Sequence, residues 1–231
     1  MAANPNQTRR EERSRRELKP VSVIDAVASS VRERVVAGEF APGTQLREIE
    51  LAAEYGVARP TVRAALQQLA LTGLLRREAN RSAVVPELSP EDIADLFRMR
   101  TLIETEAVRR LTKATAPPGR TEEAVRQLER LTKEASWSDV VEADLEFHRP
   151  LVAATESPRL LRLFELLEDE IRLAIAQLRP AYASPTALAR EHRQLLTVIE
   201  TRSPTEAAKL MQQHLDQAVG DLTEGAPSAR R

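Results

Sequence analysis

Three histidines occur in the 231-residue chain, and one of them sits a single helical turn from an aspartate. In ADLEFHRPLV (Ala143–Val152), Asp144 and His148 are four residues apart. On a helix they share a face, with Cβ atoms ~6 Å from each other. His192 lies in REHRQLLTVIE and His214 in LMQQHLDQAV, two further stretches with helical periodicity. If the three helices border one cavity, three imidazoles and a carboxylate converge, which is how helical bundles build metal sites. That donor set suits a divalent ion, Zn first and then Ni, Mn or Fe, rather than Ca. Each imidazole would then need an acceptor for its second ring nitrogen, and Glu146 and Glu191 are nearby in sequence. The same spacing also occurs as a local hydrogen bond or a surface pair, and a lone helical histidine is commonly structural. Spacing alone leaves both readings open.

A second constellation lies upstream, in GVARPTVRAALQQLALTGLL (Gly56–Leu75). Its apolar positions fall on one helical face, leaving Arg59, Thr61 and Arg63 outside near the N-terminal end. Arginine can bind guanine O6 and N7 in bidentate fashion, or grip a phosphate, and a helix N-terminus itself favours phosphate. Arg47, at the entry to the preceding helix, is a candidate phosphate contact. Arg76, Arg77 and Arg81 add positive charge beyond the helix. Further on, Arg100 and Glu104 are four apart. A buried Arg100 beside a metal calls for an anion such as a ligand carboxylate; otherwise Glu104 is its partner. Arg149 and Arg193 adjoin His148 and His192 and are expected to point away from them.

The elements that must position these residues follow from composition and periodicity. Hydrophobic residues make up 42% of the chain and aromatics 3%, so the core is aliphatic and suits helix-on-helix packing. Cysteine is absent, which excludes a disulfide framework and thiolate metal sites. No apolar run reaches the ~18 residues of a membrane span, and the polar N-terminus lacks a secretory signal; a cytoplasmic protein with no membrane partner is expected. Residues 1–87 carry a net charge of +3 and residues 88–231 one of −4, a mild asymmetry that permits a nucleic-acid-facing front half.

Residues 1–20 are Arg-rich without apolar periodicity and read as a basic arm. Ile24, Val27, Val31 and Val35 mark a first helix stopped by Gly38, and APGTQL (Ala41–Leu46) a turn. A short helix carries Leu51, Ala52 and Tyr55, and a third starts near Arg59 and ends at Gly73. Leu75–Arg77 and Ala83–Val85 are predicted to form a hairpin about Glu78–Ser82. Ser89–Pro90 opens a run of six helices; Ser157–Pro158, Ser184–Pro185 and Ser203–Pro204 repeat that start, because serine caps and proline fits the first turn. The fold class predicted is mainly α: an N-terminal winged helix-turn-helix followed by an all-α antiparallel helical bundle. The divisions expected are a disordered arm over 1–20, a DNA-binding unit over 21–87, a ligand- and metal-binding unit over 88–224 and a frayed tail over 225–231.

Val31–Val85 resembles the DNA-binding domain of the GntR family, through G-x-x-x-P-G-x-x-L, L-A-x-x-x-G-V, R-P-T-V-R-x-A-L-x-x-L and G-L-L. Two positions depart from the family pattern: Ala58 stands where Ser is usual, and Ser82 where the wing usually has Gly. Pro90–Leu222 is similar to the FCD ligand-binding domain of the FadR-like branch, through R-x-x-I-E (Arg100–Glu104), D-x-x-x-H (Asp144–His148), E-H (Glu191–His192) and His214. The resemblance implies a divalent metal on Asp144, His148, His192 and His214, a small organic acid beside it, and a homodimer on double-stranded operator DNA read by Arg47, Arg59, Thr61, Arg63 and Arg81, with Arg100 facing the carboxylate effector. The expectation is a transcription regulator, not an enzyme. Two alternatives share the residues: a metalloenzyme acting on a small carboxylate, with Glu104 or Glu191 recruited as acid or base, and an interaction module whose metal is structural.

Overall fold

A computed structural model of the chain describes residues 22–77, 82–113, 119–132, 134–177, 185–201 and 203–224. The arm, Arg81, most of the expected wing turn and the tail lie outside these residues. The N-terminal part runs α1 (Val23–Val36), β1 (Gln45–Leu46), α2 (Glu48–Tyr55), α3 (Arg59–Leu71) and β2 (Ala83–Val84). Ser22 caps α1 by accepting from the Asp25 amide, and Val27, Val31 and Val35 form its buried stripe. The bend between α2 and α3 depends on Gly56, at φ 64° in the left-handed region that favours glycine. The predicted hairpin is rearranged. β2 pairs antiparallel with β1, Gln45 opposite Val84 and Leu46 opposite Ala83, whereas the Leu75–Arg77 segment contributes a single bridge, Arg76 to Val84. Leu46 is buried: a two-residue strand inside a Pro-Gly turn is too short for an alternation pattern to show.

The C-terminal part is all helical: α4 (Pro90–Leu111), α5 (Gly119–Arg130), α6 (Trp137–Ala153), α7 (Pro158–Gln177), α8 (Pro185–Glu200) and α9 (Pro204–Glu224). α4 opens with a reciprocal capping box between Ser89 and Asp92, which satisfies two amides that would otherwise lack partners. α9 lies along α4, α5 packs on α6 and α8, and α6 packs on α7. The core is aliphatic apart from Phe97, Phe147 and Phe164. Among the described residues no helix is long and apolar enough to cross a membrane.

α7 joins the two parts. Asp169 takes both arms of the α1 residue Arg32, at 2.7 and 3.1 Å, and the hydroxyl of Thr72, at 2.5 Å. One turn on, Leu173 is buried in the N-terminal core. A further turn on, Gln177 donates to the Pro86 carbonyl and accepts from the Leu88 amide. Glu170 lies directly against Gly73, where a Cβ would come within 2.3 Å of its side chain. One helix face therefore holds the N-terminal part by an ion pair, an apolar plug and a backbone clamp.

Candidate functional site

The four polar residues singled out in the bundle occupy positions where helical periodicity calls for apolar ones. α6 buries Val140, Val141, Leu145, Phe147 and Leu151, and Asp144 and His148 lie in the same stripe. His192 lies in the Leu188, Leu195, Leu196, Ile199 stripe of α8, and His214 sits between the buried Met211 and Leu215 of α9. All four are buried, His148 and His192 completely. One ligand atom from each falls within 4.8 Å of every other. His192 Nε2 is 3.2 Å from Asp144 Oδ1 and 3.3 Å from His148 Nε2, and His148 Nε2 is 3.9 Å from Asp144 Oδ1. Phe147 presses edge-on against the rings of both His148 and His192, which limits their rotation.

The second ring nitrogens all face acceptors, that of His148 in an ion-pair contact without hydrogen-bond geometry. His192 Nδ1 is 2.8 Å from the Leu188 carbonyl, an acceptor only, so it carries the proton. His148 Nδ1 lies 2.5 Å from Glu104 Oε2, and His214 Nδ1 3.2 Å from Glu191 Oε2. Glu104 is itself held by Arg100 Nε at 2.8 Å, with both residues buried. In their neutral forms the imidazoles therefore turn bare Nε2 lone pairs inward, toward a carboxylate oxygen. Several acceptors meeting at ~3.3 Å in a dry interior repel one another unless a cation or a proton lies between them.

The electrostatics favour the cation. Burial holds His148 below its ordinary value, and burial lowers His214 to about 4, so these rings resist protonation. Burial alone would raise the Asp144 and Glu104 carboxyls. Positive charge beside them more than offsets it, from His192, His148 and Arg100 for Asp144 and from Arg100 and His148 for Glu104; where the rings are neutral, a divalent ion would supply that charge. Deprotonated carboxylate with neutral imidazole is the state a metal requires. The residues fit such an ion. Asp144 Oδ2 is buried with no hydrogen-bond partner, and four ligands at ~2.0–2.1 Å from Zn stand roughly 3.3 Å apart, against 3.2 and 3.3 Å from His192 to Asp144 and His148, 3.9 Å from His148 to Asp144 and at most 4.8 Å within the set.

Of the second-sphere acceptors weighed from sequence, Glu191 serves His214, Glu146 serves none of the three rings, and His192 uses a backbone carbonyl. Sequence reasoning treated Glu104 chiefly as the partner of Arg100 and missed its contact with His148. The available signal was an Arg–Glu pair at helical spacing in an otherwise apolar stripe. Arg149 turns away to Glu165 and Glu168 on α7, and Arg193 to Glu122 and Glu129 on α5.

The second candidate surface lies on the N-terminal part. Arg47, Glu48, Arg59, Arg63, Arg77 and Ser82 border a concavity of about 690 Å³. Arg59 and Arg63 are exposed on the first turns of α3, with Thr61 half-buried between them. Arg47 pairs with Glu50 at 3.1 Å and is largely exposed. Ala58 is the N-cap of α3 and supplies no side-chain cap. Ser82, where the family's wing usually has glycine, borders the same concavity. Glu48, which sequence reasoning passed over, binds Arg63 at 2.7 Å and Arg77 at 2.9 Å.

Comparisons with known proteins converge on both parts. Residues 23–85 match the family described as bacterial regulatory proteins, gntR family, and residues 95–217 match the FCD domain. The gluconate operon transcriptional repressor of Bacillus subtilis (strain 168) is 28% identical over 198 residues, 82% of this chain and 81% of its own. A D-xylose utilization operon transcriptional repressor of Paenarthrobacter nicotinovorans, named as a probable one, is 29% identical over 196 residues, 82% of this chain and 85% of its own. Among solved structures, one described as a GntR transcriptional regulator from Rhodococcus sp. RHA1 superposes with a TM-score of 0.78 at 26% identity, covering 90% of this chain and 99% of that one.

Proposed function

Since the chain belongs to the GntR family of bacterial transcription regulators, with an effector-sensing FCD domain as its C-terminal part, we propose that this domain senses a small organic acid at a divalent-metal centre and thereby alters operator binding. In this reading residues 21–87 bind DNA and residues 88–224 sense, in the manner of the FadR-like branch. Asp144, His148, His192 and His214 hold the ion, zinc first among Zn, Ni, Mn and Fe. The observation that carries the reading is the gathering of these four ligand atoms within 4.8 Å in the buried core. When bound, the ion supplies a Lewis-acidic anchor for an anionic oxygen.

Charge supports the acid. With neutral histidines, the buried groups Arg100, Glu104 and Asp144 sum to −1, and a divalent ion brings the centre to +1. A carboxylate neutralises it. Arg100 is the protein group nearest in chemistry to such a ligand, and the gluconate operon repressor is named for the operon of a sugar acid. Glu104 anchors the His148 ring and Arg100 together, so it orients both sides of the ligand position. Family membership favours a regulator over a metal-dependent enzyme, and the junction on α7 provides a route for the response. Glu142 and Arg149 flank the α6 ligands and bind α7 residues, Glu142 through Arg172 and Arg149 through Glu165 and Glu168, while Asp169 of α7 holds Arg32 and Thr72. A tilt of α6 on α7 is thereby passed to the DNA-binding part. In a homodimer that changes the spacing of two recognition helices, each reading a half-site with Arg59, Thr61 and Arg63, with Arg47 and Arg81 on phosphates.

The test is fluorescence anisotropy on a labelled duplex selected from a randomised pool by the wild-type protein. Titrations compare zinc-loaded and chelator-treated protein, with and without gluconate, citrate or lactate. The reading requires that at least one acid shift DNA affinity about five-fold or more, in the loaded protein only. Equal affinity in every condition, or the same shift after chelation, removes the metal-dependent sensor.

A further inference from the structure

A carboxylate at the centre of a surface built for phosphates weakens the attraction to every duplex, and Glu48 is such a carboxylate. It occupies the first turn of α2, where the helix dipole favours an anion, and its side chain is only 15% exposed. The bond from Arg63 lowers its pKa, more than burial raises it, and the charges of Arg63, Arg77 and Arg59 add to the lowering, so it stays ionised. Its cost to general DNA affinity is offset only if it sharpens discrimination.

The bonding pattern indicates how. Arg63 approaches Glu48 with one edge of its guanidinium: Nε lies 3.0 and 3.1 Å from the two carboxylate oxygens and Nη2 2.7 Å from Oε2. Arg77 Nη2 takes Oε1 at 2.9 Å. A guanidinium has two edges able to make paired hydrogen bonds, the Nε–Nη2 side and the Nη1–Nη2 end. Glu48 occupies the side and leaves the end, which matches guanine O6 and N7.

We propose that Glu48 is a positioning residue for base reading: it grips the Nε–Nη2 edge of Arg63 and presents the remaining Nη1–Nη2 end of that fork, with the second hydrogen of Nη2, to the duplex. The inference rests on the reading of α3 as the recognition helix. A free arginine must give up much rotamer freedom to make a two-point contact, and one held in advance gives up less. The grip also neutralises Arg63, so its charge adds little to binding on phosphate alone. Arg77, tied to the same carboxylate from the segment before the wing, fixes the grip from the other side.

The experiment uses the full chain, the selected duplex and a scrambled duplex of equal length and composition, across a salt series. In E48Q, affinity for the scrambled duplex should rise about 3–10-fold near 0.1 M salt, and the slope of log affinity against log salt should steepen by about 1, as one more cation becomes available to phosphate. Preference for the selected duplex should fall about ten-fold or more, the scale of one bidentate base contact. In an R63A background the same substitution should leave the preference within about two-fold, because two residues acting through one contact are not additive. E48D keeps the charge but shortens the reach; it should lose preference without gaining affinity for scrambled DNA, and it serves if E48Q folds poorly. An equal shift on both duplexes in E48Q overturns the proposal, leaving Glu48 as background charge. A loss of preference that persists in R63A also overturns it, making Glu48 a direct acceptor from a base. If R63A itself keeps full preference, the recognition-helix reading fails first, and this inference with it.

Discussion

The buried Asp–His cluster of the bundle and the arginine-lined face of the N-terminal part both gather charged side chains from several segments, yet they pose opposite electrostatic problems. In the bundle, Asp144 and three imidazoles are buried, their outer nitrogens face acceptors, and the lone pairs turned inward repel one another unless a cation or a proton lies between them. On the winged part, Arg63 and Arg77 are balanced by Glu48 before any ligand arrives, and the half-exposed guanidinium keeps one edge for use. Burial leaves the first group short of a cation or a proton; the second stands as a satisfied surface and acquires a role only through the geometry of what is left unbound. A buried polar cluster is therefore strong evidence by itself, whereas a cluster of surface arginines needs its hydrogen bonds resolved atom by atom.

That contrast can be broken at several points. The largest effect is expected from H192A/H214A, which removes two ligands. The metal should be lost, with affinity down well over 100-fold, beyond the 10–100-fold typical of losing an outer partner. Zinc should then no longer raise the thermal midpoint, whereas in the wild-type protein saturation near 100 times the dissociation constant adds about 2.7 kcal/mol. E104Q, which removes the charge opposite His148 and Arg100, should weaken zinc by about 10–100-fold in a calorimetric titration. On the DNA face, R59A/R63A should abolish preference for a selected duplex while moving the melting temperature little, because both side chains are exposed; unchanged preference in the anisotropy assay would place base reading elsewhere.

Smaller effects test the junction and the cap. D169N should cost about 1–3 kcal/mol at neutral pH, the worth of hydrogen bonds to a charged group, with Arg32 partly exposed and screened. Burial would raise the Asp169 carboxyl, but the bonds from Arg32 and Thr72 more than offset it, and its folded pKa lies below the ordinary value. The stabilisation is therefore fully present above about pH 4, near the unfolded pKa, and is lost as pH falls through the lower folded one. Urea melts at pH 7 and pH 3 should show the gap between wild type and D169N closing on the acid side; a gap that widens would reverse the assignment. Least of all, A58S should add about 0.5–1 kcal/mol by supplying the side-chain cap that α3 lacks.

The helices were legible because apolar residues recur at helical spacing, but spacing alone left Asp144, His148, His192 and His214 open between structural and ligand roles, and reading them as one set rested on the resemblance to the FCD domain. Each of the four interrupts an apolar stripe, and Ser-Pro pairs precede two of the three helices that carry them, α8 and α9, whereas α6 starts at Trp137 after Ser136. β1 was not legible, because two residues hold no alternation and Leu46 is buried by a pairing with Ala83 that is distant in sequence. Glu48 was not legible either. Nothing local separates it from Glu50, which pairs with Arg47 at the surface; only the fold brings Arg63 and Arg77 to it from two other segments. Asp169 was missed for the same reason, since its partners Arg32 and Thr72 belong to the other end of the chain.

The most direct test of the central claim is metal uptake by the full chain. Protein purified without a metal-affinity step, stripped with chelator and titrated with zinc should bind about one ion per chain, as four ligands from one bundle core require, and H192A/H214A handled identically should bind none. Wild-type protein that takes up no metal, or a double variant that takes up as much, would contradict the account at its root.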